Sequence, residues 1–192
     1  MTNLHAAAVS SIPHPAWQDA IAFAARRHTG QMRRDKKTPY ASHVFRVTMT
    51  VCACFGCHDE AALCAAALHD TIEDTGTDFD DIEDRFGIQT AHIVAALTKN
   101  MILREPEREV DYDQRLAKAD WRARLVKLAD VYDNLHDLPN SKPSAGALER
   151  MTSRCARAIA LAEPDLERLT GEDREIVSRA IGLVRAAVQA QA

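Results

Sequence analysis

The segment Ala61–Asp74, AALCAAALHDTIED, sets one imidazole and three carboxylates at the end of a run of small apolar residues. Alanine is the strongest helix former and packs closely, so the run reads as a helix buried on every side. At about 100° per residue, His69, Asp70, Glu73 and Asp74 would share about 140° of arc on one face. Charge gathered at the end of a buried segment is costly unless a cation or a hydrogen-bond network compensates it. Acidic groups late in a helix also oppose its macrodipole, so a metal site explains these residues better than an acidic surface helix end does. Two further residues fit such a site. His43 stands at the start of a helix that Ser42 is placed to cap. Asp130 belongs to a polar stripe, Lys127, Asp130, Asn134 and Asp137, on an otherwise apolar helix.

His43, His69, Asp70 and Asp130 offer two imidazoles and two carboxylates from separate helices. That fairly hard donor set suits Mn²⁺, Fe²⁺ or another labile divalent ion. Such an ion acidifies a water and screens a phosphate under attack. Glu73 and Asp74, one turn beyond the ligands, are the groups to orient or deprotonate that water. A basic segment precedes His43: Arg26, Arg27, Arg33, Arg34, Lys36 and Lys37 are offset by Asp35. In a chain of net charge −4 it is the natural anion-binding surface. Arg34, Lys36, Lys37 and Tyr40 are its substrate-binding candidates.

The elements that must position these groups are helical. Aromatics are scarce at 5%, Ala is abundant, and Gly and Pro number seven each, which favours an all-α bundle. With 192 residues, 46% of them apolar, the chain is long enough for one domain with a sizeable core. Residues 1–14 read as a flexible lead and 15–192 as the domain. A first helix runs from Ala16 to His28 behind Pro15. Val44, Val47, Met49, Val51 and Cys54 face the core from the His43 helix. Asp59 starts the central helix, and Asp78 caps a short helix that ends at Gly87. Another helix covers Gln89–Leu97, in which His92 reads as structural or exposed. Lys99–Asp113, mixed in charge and carrying a proline, reads as a loop or a lid. Trp121–Leu138 is a strong helix, Pro139–Gly146 a linker, and helices over Ala147–Ala162 and Gly171–Gln189 complete the bundle within 147–192.

The five cysteines are an odd number, which argues against a disulfide framework. Cys52, Cys54, Cys57 and Cys64 lie in apolar surroundings where cysteine acts as a small hydrophobe. The acidic balance and the lack of a basic aromatic surface argue against nucleic-acid binding. The first formal charge is Asp19 and no apolar run approaches about 18 residues, so neither a leader nor a membrane span is expected and the cytoplasm is the expected compartment. A homo-oligomer is compatible with the sequence.

The order His…His-Asp…Asp resembles the HD-domain superfamily of metal-dependent phosphohydrolases. HTGQMRRDKKTPYASH, ALHDTIEDT, FGIQTAHIVAALTK and LVKLADVYDNLHDL resemble, more narrowly, the hydrolase domain of the RelA/SpoT family, which degrades the alarmone (p)ppGpp. These segments run in the family's order over roughly Ala16–Leu138. The length leaves no room for the family's synthetase and regulatory domains, so the expectation is a small alarmone hydrolase with a single-domain HD-type helical bundle. The resemblance implies that His43, His69, Asp70 and Asp130 hold one ion, usually Mn²⁺, and that Glu73 and Asp74 work on the attacking water. It implies that Arg34 packs on the nucleotide base and that Asn134 lies near base and ribose. The implied reaction removes pyrophosphate from the ribose 3′ position, returning GDP or GTP. Lys99 and Lys127 also match family words. Val44 stands in place of the family's proline, Asp35 in place of a second base and His136 in place of an arginine. These departures surround the nucleotide rather than the metal and leave base and phosphate preference open. The alternatives are a related hydrolase for an adenine alarmone, the 2′-phosphate of NADPH or a nucleotide monoester, serving in one version as an antitoxin, and an alarmone-binding module without turnover.

Overall fold

The computed structural model describes residues 14–141 and 143–191; residues 1–13 of the expected lead lie outside them. Eleven α-helices follow one another among the described residues. They are α1 (Ala16–Arg27), α2 (Ala41–Met49), α3 (Glu60–Leu68), α4 (Thr71–Asp74), α5 (Phe79–Phe86) and α6 (Ile88–Leu97), then α7 (Glu107–Lys118), α8 (Trp121–Asp137), α9 (Ala147–Ala162), α10 (Asp165–Arg168) and α11 (Gly171–Gln189). A π-helical turn, Thr50–Cys54, prolongs α2, and a 3₁₀ turn, Leu138–Ser141, follows α8.

Two helices act as hubs. α3 packs against α1, α2, α6 and α8, and every residue from Ala62 to Leu68 is buried. Its alanines let four neighbours approach closely, and Asp59 caps it by accepting from the Ala62 amide at 2.8 Å. α8 packs against α2, α3 and α6 on one side and α9 and α11 on the other, burying Leu125, Leu128 and Leu135. Asp78 caps α5 through the Asp81 amide, and Gly87, at φ 84°, lets the chain turn from α5 directly into α6.

A buried ion pair ties α8 to α10. Arg124 of α8 donates from Nε and Nη2 to both oxygens of Asp165 in α10, each at 2.6 Å. Its Nη1 donates to the carbonyls of Leu116 and Ala119, both at 2.8 Å, where α7 ends.

Several details differ from the sequence reading. The central helix stops at Leu68 and restarts at Thr71, with Asp70 at φ −105°, ψ 0° between the two pieces. Thr71 Oγ1 donates to the Leu68 carbonyl at 2.7 Å and competes for the acceptor that would carry the helix onward. α7 takes over the expected loop Lys99–Asp113 from Glu107 onward; Pro106 occupies its N-cap position, Tyr112 and Leu116 supply its buried side, and its other faces are charged. Ser42 lies inside α2, behind Tyr40 at the N-cap, and its side chain caps nothing there. Val44, Val47 and Val51 face the core, but Met49 and Cys54 turn outward, off the face that the π turn continues to Phe55. The cysteines are free, with Cys57, Cys64 and Cys155 buried and Cys52 and Cys54 nearer the surface. Burial pushes the Cys64 thiol up to about 12 and that of Cys155 up to about 11, so both stay protonated.

Candidate metal centre and cleft

Three helices deliver the ligand candidates to one point. His43 is one turn into α2, His69 closes α3, and Asp130 sits midway along α8. One donor atom from each lies within 4.8 Å of the other two. His43 Nε2 is 3.2 Å from His69 Nε2 and 3.3 Å from Asp130 Oδ1; His69 Nε2 is 3.9 Å from that oxygen. Asp70 joins them, its Oδ2 2.9 Å from His69 Nε2 and 3.7 Å from His43 Nε2. The break between α3 and α4 aims Asp70 here, whereas a continuous helix would have carried it round the axis.

Each of these groups is fixed from behind. His69 Nδ1 donates to the Ala66 carbonyl at 2.8 Å, which leaves Nε2 as the inward lone pair of the neutral ring. His43 Nδ1 meets Asp133 Oδ2 at 2.6 Å, and Arg46 holds Asp133 from Nε at 2.5 Å and from Nη2 at 3.0 Å. Asp130 Oδ1 accepts from Asn134 Nδ2 at 2.5 Å and its Oδ2 from Lys127 Nζ at 2.8 Å. Tyr40 donates its hydroxyl to Asp70 Oδ2. Two imidazoles with inward nitrogens beside two carboxylates form a donor set that a divalent cation fits, and a carboxylate behind one imidazole is the usual support for such a ligand.

The charges agree with that fit. Burial works against ionising Asp70, but the neighbouring His69 ring outweighs it and lowers its pKa. Burial opposes Asp130 likewise, and Lys127 and the two histidines hold it well below the usual carboxylate range. Burial also disfavours the charged His69 ring, yet Asp70 and Asp130 push its pKa up to about 9. Two ionised carboxylates at a buried point therefore demand positive charge, which a divalent ion would supply in place of a proton.

The centre opens into a cleft of about 270 Å³ that Arg34, Tyr40, Glu73, Asp74, Asn134 and Arg154 help to line. Glu73 Oε2 accepts from the Lys99 amide at 3.0 Å, and Asp74 Oδ2 accepts from Gln31 Nε2 at 3.1 Å. The short bridge Met32–Pro39 alternates the basic segment. Arg33 turns inward, donating to Asn134 Oδ1 at 2.8 Å and Asp137 Oδ2 at 3.0 Å. Arg34 turns to the cleft. Lys36, at φ 59°, and Lys37 are exposed at the tip of the turn and do not line the cleft. Asn134, a substrate candidate by sequence, spends its amide between Asp130 and Arg33.

Sequence reasoning missed Asp133, Gln31 and the inward role of Arg33. The i, i+3 spacing of Asp130 and Asp133 was a signal for the first, but nothing in the sequence says that α2 faces that side of α8. Arg154 joins the cleft from α9; in the sequence its charge is the one sign of that role, as it is for Arg150 and Arg157.

A model of the HD domain matches residues 20–155. The chain is 37% identical over 145 residues to the guanosine-3′,5′-bis(diphosphate) 3′-pyrophosphohydrolase MESH1 of Drosophila melanogaster, covering 74% of this chain and 80% of that one. It is 37% identical over 134 residues to human MESH1, covering 69% and 75%. A solved structure described as a metazoan ortholog of SpoT that hydrolyses ppGpp superposes with a TM-score of 0.67 at 31% identity, covering 92% of this chain and 97% of that one. On its helices, its histidine–aspartate centre and these likenesses, the chain belongs to the HD-domain family, alongside the MESH1 proteins.

Proposed function

We propose that the chain is a divalent-metal phosphohydrolase that removes pyrophosphate from the ribose 3′ position of (p)ppGpp. The observation that carries this reading is the convergence of His43, His69, Asp70 and Asp130 beside a cleft that Glu73, Asp74, Arg34 and Arg154 line. The names borne by its relatives select the substrate among phosphate esters that such a centre could cleave.

His43, His69, Asp70 and Asp130 would hold one ion, with Mn²⁺ the favoured identity for a mixed imidazole and carboxylate set. When bound, that ion supplies Lewis acidity, lowering the pKa of water and neutralising phosphate charge. Glu73 and Asp74 bound the space where water meets phosphorus, and their fixed partners, the Lys99 amide and Gln31, keep them there. As the water oxygen bonds to the phosphorus on the 3′-oxygen, one of these carboxylates takes its proton. The P–O3′ bond breaks, the 3′-oxygen takes up a proton, and GDP or GTP and pyrophosphate result. Arg34 packs on the base or a phosphate, and Tyr40 keeps Asp70 in place while its ring borders the cleft. Residues 15–192 act as one domain, with the helices from 147 onward supplying the Arg154 side of the cleft. No described helix is long and apolar enough to cross a membrane, and the cytoplasm, where a free nucleotide is met, is the proposed compartment. The proposed ligand is a small nucleotide, with no nucleic-acid partner.

Incubation of Mn²⁺-reconstituted protein with ppGpp, with products resolved by ion exchange and Asp70→Ala run in parallel, tests the reading. GDP and pyrophosphate from the wild type alone are expected. One bound metal equivalent without turnover would shift the substrate to another phosphorylated nucleotide.

A further inference from the structure

Glu73 is anchored through a main-chain amide, that of Lys99, and the groups that hold Lys99 line a neighbouring cavity shared with Asp130. Lys99 lies two residues beyond Leu97, the last residue of α6, and its amide donates to Glu73 Oε2 at 3.0 Å. Its side chain reaches α7, where Nζ donates to Glu109 Oε1 at 2.6 Å. The second oxygen of Glu109 accepts from Arg157 of α9, and Arg157 Nε lies 3.2 Å from Asp113 Oδ2, also of α7. The preceding residue is clamped too: Arg115 Nη2 donates to the Thr98 carbonyl at 3.0 Å. Tyr112 binds the two halves of the centre, since the Lys99 and Lys127 ammonium groups each lie 5.6 Å from its ring centroid and Lys127 holds Asp130.

We propose that Glu109 is a positioning residue for hydrolysis, the middle of a relay Arg157–Glu109–Lys99 that fixes the amide on which the Glu73 carboxylate rests. This proposal rests on the reading of Glu73 given above. Three side chains from the α6–α7 loop, α7 and α9 meet in one charge-alternating row, plus, minus, plus. Burial opposes the Glu109 charge, but Lys99 and Arg157 hold its carboxyl down to about 2, so Glu109 is ionised at neutral pH. The loop between α6 and α7 carries Met101 and Ile102 in exposed positions, 60% and 92% accessible, so little apolar packing restrains it from that side. Without the relay, the Lys99 amide would depend on the Arg115 clamp alone. A displacement of about 1 Å at a reacting group is enough to slow an enzyme severely.

The relay makes a demand that a general loss of stability would not. Glu109→Gln, which keeps shape and removes charge, is expected to lower kcat for pyrophosphate release about tenfold while leaving KM nearly unchanged. In a Glu73→Gln background the same substitution should change kcat by less than about twofold, because the group it positions is already gone. Arg157→Gln should follow Glu109→Gln, and Arg157→Lys should recover most of the rate. Amide hydrogen exchange supplies a readout that needs no substrate: the Lys99 amide should exchange about tenfold faster or more in Glu109→Gln, with α3 amides unchanged. Equal kcat losses in both backgrounds, or an unaltered Lys99 amide, overturn the relay. Absence of pyrophosphate release from the wild type would instead remove the proposed reaction, and the Lys99 amide would still decide whether the relay holds.

Discussion

The two sides of the cleft are built on different terms. On the metal side every functional atom has a fixed partner: Ala66 and Asp133 behind the histidines, Tyr40 on Asp70, and Lys127 and Asn134 on Asp130. His43, His69 and Asp130 are buried there. On the cationic side Arg34 and Arg154 are exposed. A centre that must hold donor atoms within tenths of an ångström needs pre-set geometry, because disorder there is paid in lost metal and lost rate. A surface that greets a flexible polyphosphate gains from guanidinium groups free to follow it. Arg33 and Arg34 show the division between neighbours, since both border the cleft but Arg33 is locked there by Asn134 and Asp137 of α8.

If that contrast is right, damage to the metal side should cost far more than damage to the cationic side. Asp130→Ala should lose the metal and several kcal/mol of transition-state stabilisation, a fall of about 10³-fold or more in turnover, read by metal analysis beside pyrophosphate release. Metal retained at full occupancy in that variant would remove Asp130 from the ligand set. Asp133→Asn touches no proposed ligand position but weakens the hold on His43, so metal affinity should drop about 10–100-fold, measurable by titration with a competing chelator. Arg34→Ala should raise KM for ppGpp about tenfold with kcat little changed, the pattern of lost substrate binding. A large kcat loss there would show that the cationic side is as exacting as the metal side. The double substitution Lys36→Ala with Lys37→Ala should alter kcat/KM by no more than about twofold at physiological ionic strength, because exposed charges off the cleft are screened.

How much of this was legible in the sequence follows the same division. The ligand candidates were visible because a histidine and carboxylates after Ala61–Leu68 conflict with burial, and that conflict needs no fold to be noticed. Helix caps at Asp59 and Asp78 and the turn at Gly87 were visible because they obey local rules. The break at His69–Asp70 was not, since it depends on one hydroxyl, that of Thr71, taking a carbonyl that alanine-rich sequence would assign to the helix. α7 was hidden by its composition: EREVDYDQRLAK has a narrow buried side, Tyr112 and Leu116, and Pro106 ahead of it looks like a loop residue until it is seen at a helix start. Nor could the sequence choose between Arg33 and Arg34. Their alternation is set by a two-residue bridge, and only the partners waiting on α8 give it meaning.

The Arg124–Asp165 pair has a bearing on how variants of this chain should be interpreted. It touches no atom of the cleft, yet removing either partner strands a buried charge, at a cost of about 3–5 kcal/mol against the 5–15 kcal/mol that typically separates folded from unfolded protein. In a genetic screen for inactive alleles, changes at Arg124 would therefore be recovered as readily as changes at His43 or Asp130. An allele's silence says only that the product failed somewhere between ribosome and nucleotide, and the quantity of folded protein in the cell is what sorts a broken scaffold from a broken centre.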